Sequence, residues 1–379
     1  MGYSEDVCLD SDGLEVTLEN YEKDVDFRNI VRSECITGLV LKGQQKEAED
    51  NKLMEEVMRD CGETKAKICF AYMLHTLPVS KLPVLPSLKK LTFYISILNS
   101  DALLRFNDWC PNLTEIHFKR GVGMSREAFE TFTSIQSATY PQVITFEFDM
   151  SDDYDLTRDF LAKMDKKFPS LKCFDLTLSY DDEFSAYDPQ YQVSYQPLYF
   201  KNLKKLSVSA FGNQIDKLFD YMAVSNIKLK EFKFMGMTTP SEMISWIGNC
   251  KALSKLTLAC PHILEDGLME LKDMHLLREV HFEAKHIHWE PEEIVEFARN
   301  NKRLKVMNIE SDRKNNSMKF DWKFKDKFDE LMRERRKLKI KVVFHEGERK
   351  INVSETSFSE TQLYDTPDSD DNESDSYRL

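Results

Sequence analysis

His281, His286 and His288 are the residues whose type and closeness first suggest chemistry. A metal centre needs ligands that converge on one point. His281 is expected on a strand, with His286 and His288 in the loop after it, so the spacing predicts exposed histidines and no metal site. The acid pair Glu292-Glu293 follows Pro291, which is the charge expected in the first turn of a helix. The eight cysteines, at positions 8, 35, 61, 69, 110, 173, 250 and 260, contain no C-x-x-C pair. Neither a phosphate-binding glycine loop nor a G-x-S-x-G or H-E-x-x-H pattern occurs. No catalytic, cofactor-binding or metal-ligating residue is therefore expected, and the chain reads as a non-enzyme.

Composition narrows the class further. Of the 379 residues, 41% are hydrophobic, enough for a large core. The net charge of −13 argues against a nucleic-acid partner. No apolar run reaches the ~20 residues that span a bilayer, so no membrane partner is expected. The opening MGYSEDVCLDSDG is acidic and lacks the apolar stretch of a secretory signal. Reduced thiols and a cytoplasmic or nuclear location follow as expectations. The sequons at Asn112 and Asn352 are expected to stay unmodified.

The elements behind these residues come from one recurring pattern, L-x-x-L-x-L with apolar residues at three anchors. It occurs at Ile36/Leu39/Leu41, Leu88/Leu91/Phe93, Leu113/Ile116/Phe118, Val143/Phe146/Phe148, Leu171/Phe174/Leu176 and Leu203/Leu206/Val208. It continues at Leu229/Phe232/Phe234, Leu253/Leu256/Leu258, Leu277/Val280/Phe282 and Leu304/Met307/Ile309. Weaker copies stand at Lys65/Ile68/Phe70 and at Leu14 with Val16. From Leu88 onward the copies begin about 24 to 32 residues apart, at or just above the leucine-rich-repeat period.

Alternate residues of a strand face one side. The second and third anchors therefore point together into a core, and the residues between them point away. One such strand cannot bury its apolar face alone, whereas a parallel stack builds a continuous core. The fold class expected is an α/β leucine-rich-repeat solenoid, a horseshoe with a concave parallel sheet and convex helices, of roughly ten to twelve repeats.

Helices are expected over 100–109, from Thr239-Pro240-Ser241, from Pro291 and over 320–338, with a closing strand at 339–344. Residues 180–196 read as an acidic, Tyr-rich loop. Residues 1–35 read as an N-terminal segment or irregular capping repeat, 36–346 as the solenoid and 347–379 as a disordered acidic tail.

Solenoids bind partners on the curved strand face. The candidate protein-binding residues there are Glu115, His117, Lys205, Ser207, Glu231, Lys233, Lys255, Thr257, Glu279 and His281. The basic run from Lys323 to Lys341 reads as a solvated helix face, with a nuclear-import patch as the sharper option. Thr366, followed by Pro367, and Ser369 and Ser374, followed by acids, are candidate phosphorylation sites.

The central copy, Cys250-x-x-Leu253-x-x-Leu256-x-Leu258-x-Cys260 followed by Ile263-Leu264-Glu265-Asp266-Gly267-Leu268, resembles the cysteine-containing leucine-rich repeat. Trp109-Cys110-Pro111-Asn112-Leu113 matches the same lead into a strand. Such repeats are typical of F-box/leucine-rich-repeat proteins, the substrate receptors of cullin ubiquitin ligases. That resemblance implies a protein-recognition scaffold with a Skp-type adaptor and a cullin as partners. The chain departs from the pattern in that Cys260 stands one residue early and no F-box is recognisable. Leu77-Pro78 runs into a repeat strand instead. The alternative function is a solenoid regulator of another enzyme, such as a GTPase-activating protein. Such activators also end in an acidic tail, but carry an Asn after the strand and a regular Gly that this chain mostly lacks.

Overall fold

In the computed structural model the described residues are 14–43, 47–73, 83–98, 105–119, 123–124, 131–132, 134, 139–150, 158–178, 200–210, 228–236, 241–260, 262–263, 267–284, 286–287, 289, 291–312, 322–346 and 349–352. Their strands, in chain order, are β1 (Leu14–Val16), β2 (Gly38–Lys42), β3 (Lys67–Ala71), β4 (Lys90–Tyr94), β5 (Ile97–Leu98), β6 (Glu115–Lys119), β7 (Gly123–Met124), β8 (Thr145–Met150) and β9 (Cys173–Leu178). There follow β10 (Lys205–Ala210), β11 (Glu231–Gly236), β12 (Lys255–Ala259), β13 (His262–Ile263), β14 (Glu279–Ala284), β15 (His286–Ile287), β16 (Val306–Asp312), β17 (Lys339–Glu346) and β18 (Arg349–Asn352).

Fourteen of them form one open sheet in the order β1-β2-β3-β4-β6-β8-β9-β10-β11-β12-β14-β16-β17-β18. All neighbours run parallel except the last pair, β17 and β18. The order follows the chain, so each repeat lies beside the next. This is a solenoid-like arrangement in which a strand contacts only its neighbours. β5 pairs with β7 and β13 with β15 in two small parallel sheets.

The register puts equivalent anchors side by side. Ile116, Phe146, Phe174, Leu206, Phe232, Leu256, Val280 and Met307 form one file across the sheet. All are almost wholly buried. A one-residue slip would turn this file outward and bring lysines and glutamates into the core, so the apolar pattern fixes the pairing. Phenylalanines thicken the core in the first half. Phe70 stacks on Phe93 at 5.5 Å and Phe146 on Phe174 at 5.9 Å between ring centroids, and Phe146 lies 4.7 Å from Phe168.

The first anchor follows a tight turn: Leu113 N–H donates to Cys110 C=O at 3.1 Å and Leu253 N–H to Cys250 C=O at 2.9 Å. In the weaker copy this anchor is Lys65, which is fully buried. Its Nζ donates to the carbonyls of Ser33 at 2.9 Å and Ile36 at 2.8 Å, which offsets the cost of burying the ammonium. The faint copy at Leu14 is also real, since β1 extends the sheet with Leu14 opposite Leu39 and Val16 opposite Leu41.

The described helices are α1 (Leu18–Lys23), α2 (Val25–Arg32), α3 (Glu47–Cys61), α4 (Phe106–Trp109), α5 (Arg158–Lys167), α6 (Ser241–Asn249), α7 (Gly267–Glu270), α8 (Pro291–Asn300) and α9 (Trp322–Glu334). Ile244 and Ile247 of α6, Ile294 and Phe297 of α8 and Leu331 of α9 belong to the same core as the strand anchors. Among the described residues the helices thus cover one sheet face and leave the other open. Among the described residues no helix is long and apolar enough to cross a membrane.

After α9, Arg335 closes the C-terminal end of α8. Its guanidinium donates to the carbonyls of Ala298, Asn301 (3.2 Å), Lys302 (2.9 Å) and Leu304 (2.6 Å). A helix end and the turn after it leave carbonyls to be satisfied, and of these four Asn301 C=O also accepts from Leu304 N–H at 2.9 Å. Burial holds the Arg335 pKa below its ordinary value.

Beyond residue 346 the strand β18 turns back along β17, with Asn352 opposite Val343. Four residues of the segment expected to lack structure therefore form an edge strand. Residues 353–379, with Thr366, Ser369 and Ser374, lie outside the described residues, as does the expected loop 180–196.

Candidate functional site on the open sheet face

Because every strand holds the same register, the outward side chains form files that run across the sheet. One file is Lys90, Glu115, Thr145, Cys173, Lys205, Glu231, Lys255, Glu279, Val306 and Lys339. From β10 to β14 lysine and glutamate alternate. Lys205 Nζ lies 3.9 Å from Glu231 Oε2, and Lys255 Nζ 3.2 Å from Glu279 Oε2. Opposite charges directly across a strand pair are the favourable arrangement.

The next file is Thr92, His117, Glu147, Asp175, Ser207, Lys233, Thr257, His281, Asn308 and Lys341. It changes sign along its length. Acids stand on β8 and β9, and from β10 to β17 it holds no carboxylate. All ten residues expected on the strand face fall in these two files. The sequence reading passed over Glu147, Asp175, Asn308 and Lys341, although the same alternation along β8, β9, β16 and β17 points to them.

The acidic part is tightly linked. His117 is buried, with Nδ1 2.5 Å from Glu147 Oε2 and Nε2 3.4 Å from Glu115 Oε2. Lys119 Nζ lies 3.4 Å from the same Glu147 oxygen. Burial works to raise the Glu147 pKa, but the His117 hydrogen bond and the Lys119 charge outweigh it, and the carboxyl is held below its ordinary value. Asp175 goes the other way. Burial, then the Glu147 charge, push it up against a hydrogen bond from Ser207 and the lysines Lys233 and Lys205.

The basic part lines a depression of about 430 Å³, which reaches from Lys205 on β10 to Lys341 on β17. Lys233, Thr257, His281 and Asn308 lie along it, with Glu283 and Glu310 on one side. Asn308 Nδ2 donates to His281 Nδ1 at 2.9 Å. Burial and the nearby Lys255 lower the His281 pKa, with Glu279 acting against them. A neutral imidazole that accepts at Nδ1 keeps its proton on Nε2. Thr257, His281 and Asn308 thus supply hydrogen-bonding groups between two lysines.

The other candidate chemistry is dispersed. Among the described residues no group of histidines, cysteines and acids could hold a metal ion. Cys110, Cys250 and Cys260 are buried packing residues. Burial pushes the thiols of Cys250 and Cys260 up to about 12, away from reactivity. In the basic run, Arg335 is committed to the end of α8, and Arg333 Nε donates to Asp329 C=O at 3.2 Å within α9. Arg336 and Lys337 are exposed.

No protein-family model matches this chain, and no curated protein matches it. The functional reading therefore rests on the sheet face itself.

Proposed function

We propose that this chain is a non-catalytic protein-recognition scaffold of the leucine-rich-repeat type, with the open sheet face as its partner site. One observation carries the reading. The outward residues stand in register across ten strands, so their charges form an ordered, extended surface. A long sheet face of this kind suits an extended protein surface better than a small molecule. The finer reading, substrate reception in cullin-type ubiquitin ligation through a Skp-type adaptor, draws on the likeness of the Cys250–Cys260 copy to F-box-associated repeats.

The test is affinity purification of the full chain from its native cells beside the K205E/K233E/K255E variant. Circular dichroism confirms that the variant keeps its fold. A partner recovered with the first and lost with the second supports the open face as the site. Equal recovery by both sinks it. Co-purification of a Skp-type adaptor and a cullin supports the ubiquitin reading, and a GTPase as the dominant partner supports the regulatory alternative.

A further inference from the structure

We propose that the acidic segment 353–379 of this chain occupies the basic half of the open face in cis, lying along the file from Lys341 to Lys233. The proposal rests on the partner-face reading above and supplies its regulation. Three observations carry it.

The first is where the chain leaves the described structure. β18 runs antiparallel to β17 and ends at Asn352, opposite Val343. Val343 is two residues from Lys341 on the neighbouring strand, and β18 heads toward the Lys341 level. β18 thus ends one strand away from Lys341, so a segment continuing from it would lose little chain entropy in reaching the depression.

The second is charge. Residues 353–379 hold eight acidic residues against the single base Arg378. On the face, Lys205 and Lys255 already have glutamate partners at 3.9 and 3.2 Å. Lys233 and Lys341 make no ion pair within 4.0 Å among the described residues, and no carboxylate stands between them in their file. Glu283 and Glu310, in register on β14 and β16, border this file on one side.

The third is length. Lys233 and Lys341 are separated by four strand spacings, roughly 19 Å at ~4.8 Å each, which an extended chain covers in about six residues. Asp368, Asp370, Asp371 and Glu373 fall within six residues, and Asp375 follows two residues later. Phosphate on Ser369 or Ser374 adds a charge of about −1.5 to −2 and tightens the contact. An acidic partner must then displace the segment, which makes it a competitor built into the chain.

The test uses the full chain with no partner present. Carbodiimide joins a carboxylate to a touching lysine amine, and the Lys255–Glu279 pair is the internal control. The expected result is cross-links from residues 368–375 to Lys233 or Lys341 in the monomer fraction. A full-length D368N/D370N/D371N/E373Q/D375N variant should lose them, and its Lys233 and Lys341 should acetylate about threefold faster, with exposed Lys89 unchanged. Unchanged acetylation, absent cross-links, or cross-links confined to a dimer fraction overturn the proposal. Because no partner enters this experiment, its failure leaves the recognition reading to stand or fall by the partner-recovery test.

Discussion

Asn308 Nδ2 donates to His281 Nδ1 at 2.9 Å across β14 and β16, so the amide fixes which imidazole nitrogen carries the proton. Burial and Lys255 further disfavour the cation. The folded His281 pKa therefore lies below that of the unfolded chain, near 6.5. As pH falls through that value the unfolded chain takes up the proton first, and the stability contributed by neutral His281 declines until the folded pKa is passed. Histidine-resolved NMR titration should show a depressed pKa and an Nε2–H tautomer. Asn308→Asp puts a carboxylate against the ring and should raise the pKa by about one unit or more. A pKa at or above the unperturbed value in the parent chain refutes the assignment.

Lys255 and Glu279 make the closest ion pair of the alternating file, at 3.2 Å, yet both side chains are more than 40% exposed. An exposed pair contributes about 0.5 kcal/mol, and salt screens it. A double-mutant cycle with Lys255→Ala and Glu279→Ala should give a coupling below about 1 kcal/mol that shrinks in ~0.5 M NaCl. Partner recovery should suffer more than stability does. A coupling several times larger would make this file a structural device.

Phe146 sits where two ring stacks meet, 4.7 Å from Phe168 and 5.9 Å from Phe174 by ring centroids, and it is fully buried. Phe146→Ala should cost about 3–5 kcal/mol and lower the melting temperature. Phe146→Leu keeps most of the volume and should cost much less, roughly 1–2 kcal/mol. In a stack of repeats the damage reaches both neighbours, so hydrogen exchange should rise in β6 and β9 together.

The parts of this molecule that follow a period were legible from sequence. Each apolar trio, even the faint Leu14/Val16 copy, marks a parallel strand, because two inward anchors per strand leave one workable register. The ten face residues followed from the same alternation. Lys65 shows the limit. As a lysine at an apolar anchor it weakens the pattern, and the carbonyls of Ser33 and Ile36 that accept from it lie about thirty residues away in sequence. Contacts between distant segments, such as Arg335 with the end of α8, leave no periodic trace. The joining of His117 to Glu147 was likewise hidden, since it depends on register between strands whose separation varies. The antiparallel return of β18 was unreadable for another reason: Arg349–Asn352 is polar and opens an acidic stretch, so composition pointed away from a strand.

Arg335 separates a structural role from a signalling one within the basic run. Its guanidinium serves four carbonyls at the end of α8, two of them at 2.9 and 2.6 Å, and a fixed fork is what can reach several at once. Arg335→Ala should cost about 2 kcal/mol or more, since it strands carbonyls at a packed helix end. Arg335→Lys should recover only part of this, because an ammonium cannot span the same set. Thermal unfolding of the three chains checks the order: parent, then Lys, then Ala. Arg336 and Lys337 are exposed and make no such contacts among the described residues, so R336A/K337A should leave the melting temperature within about 1 °C. A nuclear-import role for this run therefore has a clean test in R336A/K337A. If those two substitutions leave nuclear accumulation unchanged while only Arg335→Ala reduces it, the loss reflects unfolding of the C-terminal repeats.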